Sequence, residues 1–290
     1  MQNATILRLE VKEMAEYVLD PGHWPELPPR HRAFLERALP MLQADARLDG
    51  LAAGGSFITG EVDEHSDLDL VVVSLPAAAN DVLRTGSDIA HTLAPLLAAF
   101  PGDHVGEARL LICLYGPPLL HVDLKFLSTD QLLHRVEDPT ILWDRHGALR
   151  SALSTTKAEY PRPRVQWIED RFWVWVHYIA VKIARGELFE AIDGLGFVRA
   201  RVLGPLVLFQ AGIRPNGVRR VEQSVPARVP ALQSTLALHD RESCRNALVA
   251  TVALYTNLRE ELASPTLVRK TDAERAARTF LTDRDGNGVS

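Results

Sequence analysis

Cysteine is scarce in this sequence, and long apolar runs are absent from it. The 290 residues include two cysteines, Cys113 and Cys244, which support neither a disulfide framework nor a cysteine-based metal site. No stretch approaches the roughly 18 consecutive apolar residues of a membrane-spanning helix, and the first residues lack the layout of a signal peptide. We therefore expect a folded protein with a cytoplasmic location and no membrane partner.

Basic residues are few in the first half of the chain. Residues 1–150 contain 22 acidic and 12 basic side chains, a net charge of −10, whereas residues 151–290 contain 15 acidic and 20 basic ones, a net charge of +5. An acidic half favours metal ions and cationic ligands, and it disfavours long contact with a nucleic-acid backbone. Because 47% of the residues are apolar, the chain has enough apolar material for the cores of two domains.

A linker divides the sequence into two parts of different character. The segment TTKAEYPRPR, residues 155–164, is rich in proline and charge. We predict a first domain over residues 1–155, a helical domain over residues 163–265 and a carboxy-terminal tail over residues 266–290. Apolar periodicity predicts an antiparallel helical bundle for the second domain, and it also predicts helix over residues 79–100 of the first.

Residues 51–73, LAAGGSFITGEVDEHSDLDLVVV, contain the densest set of chemical groups. Asp67 and Asp69 precede an apolar run typical of a buried strand, and side chains two residues apart on a strand project from the same face. Two carboxylates on one face suit Mg²⁺, which prefers oxygen ligands. Upstream, Gly55 and Ser56 would allow the backbone to approach a phosphate closely.

A second polar face follows in residues 119–126, LLHVDLKF. His121, Asp123 and Lys125 alternate there with apolar residues, as in a strand with one exposed face. Turn residues at 101–103 and 117–118 flank an apolar strand that starts at Arg109, and the simplest interpretation is a hairpin whose second arm is residues 119–126.

The central stretch resembles the Gly-Ser, Gly, Ser-Asp-x-Asp signature of the DNA polymerase beta-like nucleotidyltransferase superfamily. The matching residues are Gly55, Ser56, Gly60, Ser66, Asp67 and Asp69. One departure is Thr59, where many members have Arg. The domain order also resembles that of the aminoglycoside and lincosamide adenylyltransferases. The resemblance implies an α+β nucleotidyltransferase fold, with a small mixed β-sheet flanked by helices, followed by an all-α bundle.

The same resemblance implies an antibiotic-resistance type of activity and a set of site residues. The enzyme would use Mg²⁺ to move a nucleoside monophosphate, AMP from ATP, to a hydroxyl of a small molecule such as an aminoglycoside-type antibiotic. Asp67 and Asp69 would hold the metal, and Asp123 would be either the third ligand or the general base. The groups expected to contact the nucleotide are Gly55, Ser56, Ser66 and Lys125.

A second candidate for the general base comes from the helical domain. Glu169, Trp173 and His177 are spaced by four residues and share one face of a predicted helix. We predict that this face closes over the nucleotide and that Glu169 is a catalytic residue. A solvated acidic first turn explains Glu169 equally well, so the choice between Asp123 and Glu169 stays open.

Other functions remain open from the sequence. The acceptor could be a protein or an RNA end, although nucleic-acid binding would predict a basic channel with aromatic residues, which the first half lacks. The chain could also be a non-catalytic nucleotide-binding toxin–antitoxin partner. A homodimer is compatible with the sequence, which does not specify an oligomeric state.

Overall fold

A computed structural model describes residues 16–262 and 266–282 of the chain. The chain divides into two compact units, Met1–Glu159 and Tyr160–Ser290. Each unit has a hydrophobic core of its own.

Within the described residues, the first unit contains a seven-stranded sheet in the order β1-β7-β2-β3-β6-β5-β4. Its strands are β1 (Tyr17–Val18), β2 (Leu48–Ala53), β3 (Leu68–Ser74), β4 (Leu96–Gly102), β5 (Glu107–Tyr115), β6 (Leu120–Ser128) and β7 (Thr140–Asp144). Its helices are α1 (Pro29–Ala44), α2 (Ser56–Thr59), α3 (Ala79–Arg84), α4 (Gly86–Leu93) and α5 (Ala148–Thr155). The central strands β3 and β6 pair in parallel, and the other neighbouring strands pair antiparallel. The predicted α+β class is confirmed.

The two faces of the sheet are covered differently. On one face, Leu70 of β3 and Leu124 of β6 are buried in a core that includes apolar residues of α1 and α4. On the opposite face, Val73 and Leu127 pack in a smaller core with Leu149 of α5. Because side chains alternate along each strand, the polar residues at the start of β3 and β6 lie on this second face, ahead of its small core.

The predicted hairpin is confirmed, whereas one predicted helix is partly wrong. Strands β5 and β6 pair antiparallel, with Ile112 opposite Asp123. The predicted helical stretch 79–100 forms α3 and α4, but Leu96–Gly102 forms strand β4, which pairs with β5. Pro95 separates the two, since a residue before proline disfavours the helical conformation and proline lacks the amide hydrogen that a helix needs.

The described residues of the second unit form helices joined by loops, with no strand among them. Its helices are α6 (Val165–Arg185), α7 (Leu188–Val198), α8 (Gly204–Gln210), α9 (Val221–Ser224), α10 (Val229–Gln233), α11 (Arg241–Glu261) and α12 (Thr271–Thr282). A π-helical segment, Arg199–Leu203, joins α7 to α8. Within the predicted tail, Thr271–Thr282 forms α12, and its Ala277 and Leu281 belong to the same core as α6 and α11. Residues 283–290 lie outside the described part.

Each unit contains one of the two cysteines. Cys113 of β5 is 1% exposed and Cys244 of α11 is 0% exposed, and both are free thiols. Burial raises the pKa of the Cys113 thiol to about 11, and burial also raises the pKa of Cys244. Over the described residues, none of the helices has both the length and the apolar character needed to cross a membrane.

Candidate active site

Three carboxylates meet at the start of the parallel strand pair. Asp69 of β3 lies directly opposite Asp123 of β6, and Asp67 comes two residues before Asp69. One oxygen from each of the three side chains lies within 4.8 Å of the other two, and all three residues are partly exposed. The sequence analysis predicted a cluster of the same three acids. The parallel pairing of β3 with β6 brings Asp123 next to Asp69, although the two residues are more than 50 positions apart.

This set of oxygens has the chemistry and spacing of a divalent-cation site. Mg²⁺ binds oxygen at about 2.0–2.1 Å, so two ligands on one ion lie about 3–4 Å apart. Side-chain oxygens that are already within 4.8 Å of one another can reach that spacing through small rotations. Asp67, Asp69 and Asp123 therefore fit Mg²⁺ as ligands.

The glycine pair after β2 lies against Asp69. The amide of Gly54 donates a hydrogen bond of 2.8 Å to the carbonyl oxygen of Asp69, which extends the pairing of β2 with β3 by one residue. Gly55 has a φ of +56°, and a β-carbon built there would lie 2.0 Å from Oδ2 of Asp69. A side chain at position 55 would therefore collide with a proposed metal ligand.

Replacing Gly55 by alanine should disable the site while leaving most of the fold intact. The added methyl group must displace the Asp69 carboxylate, and the backbone at position 55, with φ 56° and ψ −134°, adds strain of about 1–3 kcal/mol for a residue other than glycine. We expect at least about a hundredfold loss of site-dependent activity, since displacing a reacting group by about 1 Å can have an effect of that size. Activity and thermal unfolding of the two proteins should be compared.

Gly106 provides the matched control for that substitution. It has a φ of +79°, and a β-carbon built there has no atom within 4 Å. With a ψ of 18°, against −134° at Gly55, Gly106 is in the left-handed helical region. Gly106→Ala therefore places alanine at a positive φ without the collision, and it should keep wild-type activity. Equal losses of activity in Gly55→Ala and Gly106→Ala would contradict the collision with Asp69.

The two serines of the predicted site have different surroundings. Ser56 is the first residue of α2 and is partly exposed beside Gly55. The Ser66 hydroxyl donates to Oδ1 of Asp63 and accepts from the Asp63 amide, both at 3.0 Å. The Ser66 hydroxyl is thus engaged in the turn that precedes Asp67, and its contact with the nucleotide stays a prediction.

A buried histidine of α1 forms a hydrogen bond with the same turn. His31 of α1 is 0% exposed, and its Nε2 lies 2.7 Å from the carbonyl oxygen of Ser66. Because a carbonyl oxygen can only accept, Nε2 must carry the proton in this bond. This contact could not be predicted from the sequence, since the two residues are 35 positions apart and no motif connects them.

Lys125 lies on the same face as Asp123 and is paired with an acid. Its Nζ is 2.8 Å from Oε2 of Glu107, which also binds Arg109 through two bonds of 2.7 Å. The Arg109 guanidinium and, after it, the Lys125 ammonium lower the pKa of Glu107 to about 2. These residues line a cavity of about 250 Å³ together with Val71, which follows Asp69 by two residues on the same strand face. A phosphate would share Lys125 with Glu107.

Asp123 also has a neighbour that can accept or donate a proton. Nε2 of His121 is 2.9 Å from Oδ1 of Asp123, and the imidazole is half-exposed. The predicted polar face of β6 is thus present, and His121 lies next to Asp123, the third carboxylate of the cluster.

Glu169 has a different environment from the one predicted. Its carboxylate is 0% exposed in the core of the second unit. It accepts hydrogen bonds from the Tyr255 hydroxyl (2.6 Å), the Lys270 amide (3.0 Å), Trp173 Nε1 (3.2 Å) and Arg259 Nη1 (3.2 Å). A general base must reach the hydroxyl that it deprotonates. Glu169 is enclosed by its own unit and holds several buried groups there, which gives it a structural role; a catalytic role for Glu169 stays a prediction.

Comparisons with known proteins give similarity at the level of structure. No family model and no curated protein matches the sequence. An aminoglycoside 6-adenyltransferase from Bacillus subtilis aligns with 86% of this chain and 98% of its own, at 13% identity and a TM-score of 0.40. A nucleotidyltransferase-like protein from Exiguobacterium sibiricum aligns with 79% of this chain and 77% of its own, at 13% identity and a TM-score of 0.38. The Thermotoga maritima CCA-adding enzyme, solved with tRNA, aligns with 87% of this chain and 69% of its own, at 10% identity and a TM-score of 0.31. A function for this chain must therefore be inferred from its own residues.

Proposed function

We propose that the chain is a nucleotidyltransferase that moves a nucleoside monophosphate from a nucleoside triphosphate to a hydroxyl group. The observation that carries the proposal is the convergence of Asp67, Asp69 and Asp123 beside a glycine loop. Carboxylates that can hold Mg²⁺, next to backbone amides that a phosphate can approach, are the groups that phosphoryl-transfer enzymes use to position a triphosphate.

Each residue of the site has a part in this reaction. Asp67 and Asp69 would hold Mg²⁺, with Asp123 as the third ligand or as the acceptor of the hydroxyl proton. When bound, the metal would neutralise charge that develops on the phosphoryl oxygens and on the leaving group. Gly55 and Ser56 would bind the triphosphate. The acceptor oxygen forms a bond to the α-phosphorus, the bond from that phosphorus to the β-phosphate oxygen breaks, and pyrophosphate leaves.

The charge of the first unit supports a small cationic acceptor. Residues 1–150 have a net charge of −10, which attracts a polycation such as an aminoglycoside and repels the backbone of RNA or DNA. We therefore propose a hydroxylated, positively charged small molecule as the acceptor and ATP as the donor, so that the product is an adenylylated compound.

Pyrophosphate release tests this function directly. Purified protein should be incubated with each of the four nucleoside triphosphates and a panel of aminoglycosides, lincosamides and neutral polyols. We expect release that requires ATP, an acceptor and Mg²⁺, that stops when EDTA removes the metal, and that returns when Mg²⁺ is added in excess. Because each unit has its own apolar core, EDTA should leave the unfolding temperature within about 2 °C of its value in buffer, a shift equivalent to less than about 1 kcal/mol.

Two outcomes would contradict the proposal. Binding of ATP without pyrophosphate release for any acceptor would indicate a nucleotide-binding module without transferase activity. Release that continues at full rate in EDTA would remove the metal from the reaction.

A further inference from the structure

A fourth carboxylate lies on the loop that is proposed to receive phosphate. Oε1 of Glu137 is 3.3 Å from the amide nitrogen of Gly55, which donates a hydrogen bond to it. The same oxygen would lie 2.8 Å from a β-carbon built on Gly54. Glu137 belongs to the segment between β6 and β7, more than 80 residues from the glycines in sequence.

A carboxylate and a phosphate oxygen compete for the same kind of donor. Both are anionic acceptors, and both gain more from a backbone N–H than a neutral oxygen does. The Gly55 amide cannot donate its hydrogen fully to both. A negative charge at this place also repels a triphosphate that approaches Asp67, Asp69 and Asp123.

We propose that Glu137 competes with the nucleotide for the Gly55 amide and thereby sets the affinity for nucleoside triphosphate. This inference rests on the proposed function, because it takes the glycine loop as the phosphate site. The Glu137 carboxylate must leave the amide before the phosphate is bound. The apparent affinity for the nucleotide therefore equals the intrinsic affinity multiplied by the fraction of molecules in which the Gly55 amide is not occupied by Glu137. Glu137 is thus an affinity-determining residue and does not take part in the chemical step.

The backbone of this segment is fixed independently of the Glu137 side chain. Arg135 fixes the segment through bonds to the carbonyl oxygens of Leu153 (2.9 Å) and Thr156 (2.5 Å) and to the Thr156 hydroxyl (2.7 Å). Glu137 also lines the cavity of about 250 Å³ that contains Lys125. A carboxylate released from Gly55 can therefore turn toward a lysine that is already part of the same cavity.

The test compares nucleotide binding by two variants of Glu137 with binding by the wild type. Glu137→Gln removes the charge and keeps the shape, and Glu137→Ala removes the contact as well. We expect the Kd of Mg·ATP, measured by calorimetry, and the KM for ATP to fall by about threefold to tenfold. The decrease for Glu137→Ala should be at least as large as the decrease for Glu137→Gln. The kcat should stay within about twofold of the wild-type value, because the chemical step uses other residues.

Asp138→Asn is the matched control. Asp138 is the next residue, and its side chain is 63% exposed and paired with Arg135. Its replacement removes the same charge from the same segment without touching Gly55, and the remaining bonds of Arg135 keep the backbone fixed. The Kd of this variant should stay within about twofold of the wild-type value, since exposed charges contribute little.

The possible outcomes separate this inference from the proposed function. If the wild type binds Mg·ATP and the Glu137 variants bind it equally or more weakly, Glu137 is not a competitor, and the inference alone is overturned. If neither the wild type nor any variant binds a nucleoside triphosphate in the presence of Mg²⁺, the proposed function is overturned and the inference falls with it. Tighter binding in both Glu137 variants and an unchanged Asp138→Asn support the inference.

Discussion

Asp67→Asn should lower nucleotidyl transfer at least about a thousandfold, equivalent to about 4 kcal/mol of transition-state stabilisation. The substitution keeps the size of the side chain and removes one of three oxygen anions that lie within 4.8 Å of one another. The site would then bind Mg²⁺ more weakly and neutralise less of the charge that develops in the reaction. Pyrophosphate release at saturating ATP measures the loss, and a titration of activity with Mg²⁺ shows how much of it extra metal recovers.

Glu64→Gln is the control for this substitution. Glu64 lies three residues earlier, and its side chain is 78% exposed, so its replacement removes the same charge outside the carboxylate cluster. We expect wild-type activity for Glu64→Gln and wild-type unfolding for both variants, because Asp67 is partly exposed and outside the cores. Full activity in a folded Asp67→Asn protein would exclude Asp67 as a ligand of an essential metal.

Glu169→Ala should destabilise the second unit by about 3–5 kcal/mol, the usual effect of removing one member of a buried ion pair. Arg259 is 3% exposed; it would keep Glu274 at 2.8 Å but lose the second carboxylate, which its Nη1 contacts at 3.2 and 3.3 Å. The Tyr255 hydroxyl, which is also buried, would lose its acceptor. Urea unfolding followed by tryptophan fluorescence measures the effect, because Trp173 contacts Glu169 directly.

The neighbouring acid separates this structural role from a general effect of charge. Asp170 is exposed and pairs with Lys270 at 3.2 Å, so Asp170→Asn should change the unfolding free energy by less than about 1 kcal/mol. A Glu169→Ala protein that unfolds like the wild type but has lost its kcat would contradict the structural role and restore the carboxylate as a base.

The pH dependence of the same variant has a definite sign. Burial by itself raises the pKa of Glu169, but hydrogen bonds from Tyr255, from the Lys270 amide and from Trp173, together with the charge of Arg259, hold it below its ordinary value. A carboxylate with a lowered pKa contributes its stability above its unfolded-state pKa of about 4.3 and loses it as the pH falls through the folded-state value. The difference between wild type and Glu169→Ala should therefore be largest near neutral pH and shrink below about pH 4.

The sequence was sufficient to predict the carboxylate site because the relevant signals are local. Alternation along a strand places Asp67 with Asp69, and places Asp123 with His121 and Lys125. The short glycine loop precedes the first pair, with α2 and a turn between them, and its φ of +56° at Gly55 requires the residue type that the sequence has there. Only the pairing of β3 with β6 was needed to join the two halves, and the resemblance supplied that expectation.

Contacts between distant segments could not be predicted in this way. Glu169 is a charged residue near the start of a helix, where an exposed position is expected. Its partners Tyr255 and Arg259 lie more than 80 positions away in the sequence. The same is true of Glu137 and Gly55, and no motif marks His31 as the support of the Ser66 turn. Periodicity specifies the face of an element on which a residue lies, but it does not specify which other element covers that face.

The positions of the two cysteines have a practical consequence for measuring these effects. One thiol is enclosed in the sheet of the first unit, and the other in the helices of the second. An alkylating reagent attacks only an exposed thiolate, so the reaction at each thiol must wait until that part of the protein opens. Peptide mapping after timed alkylation would therefore give an opening rate for each half of the natural molecule, with no engineered label.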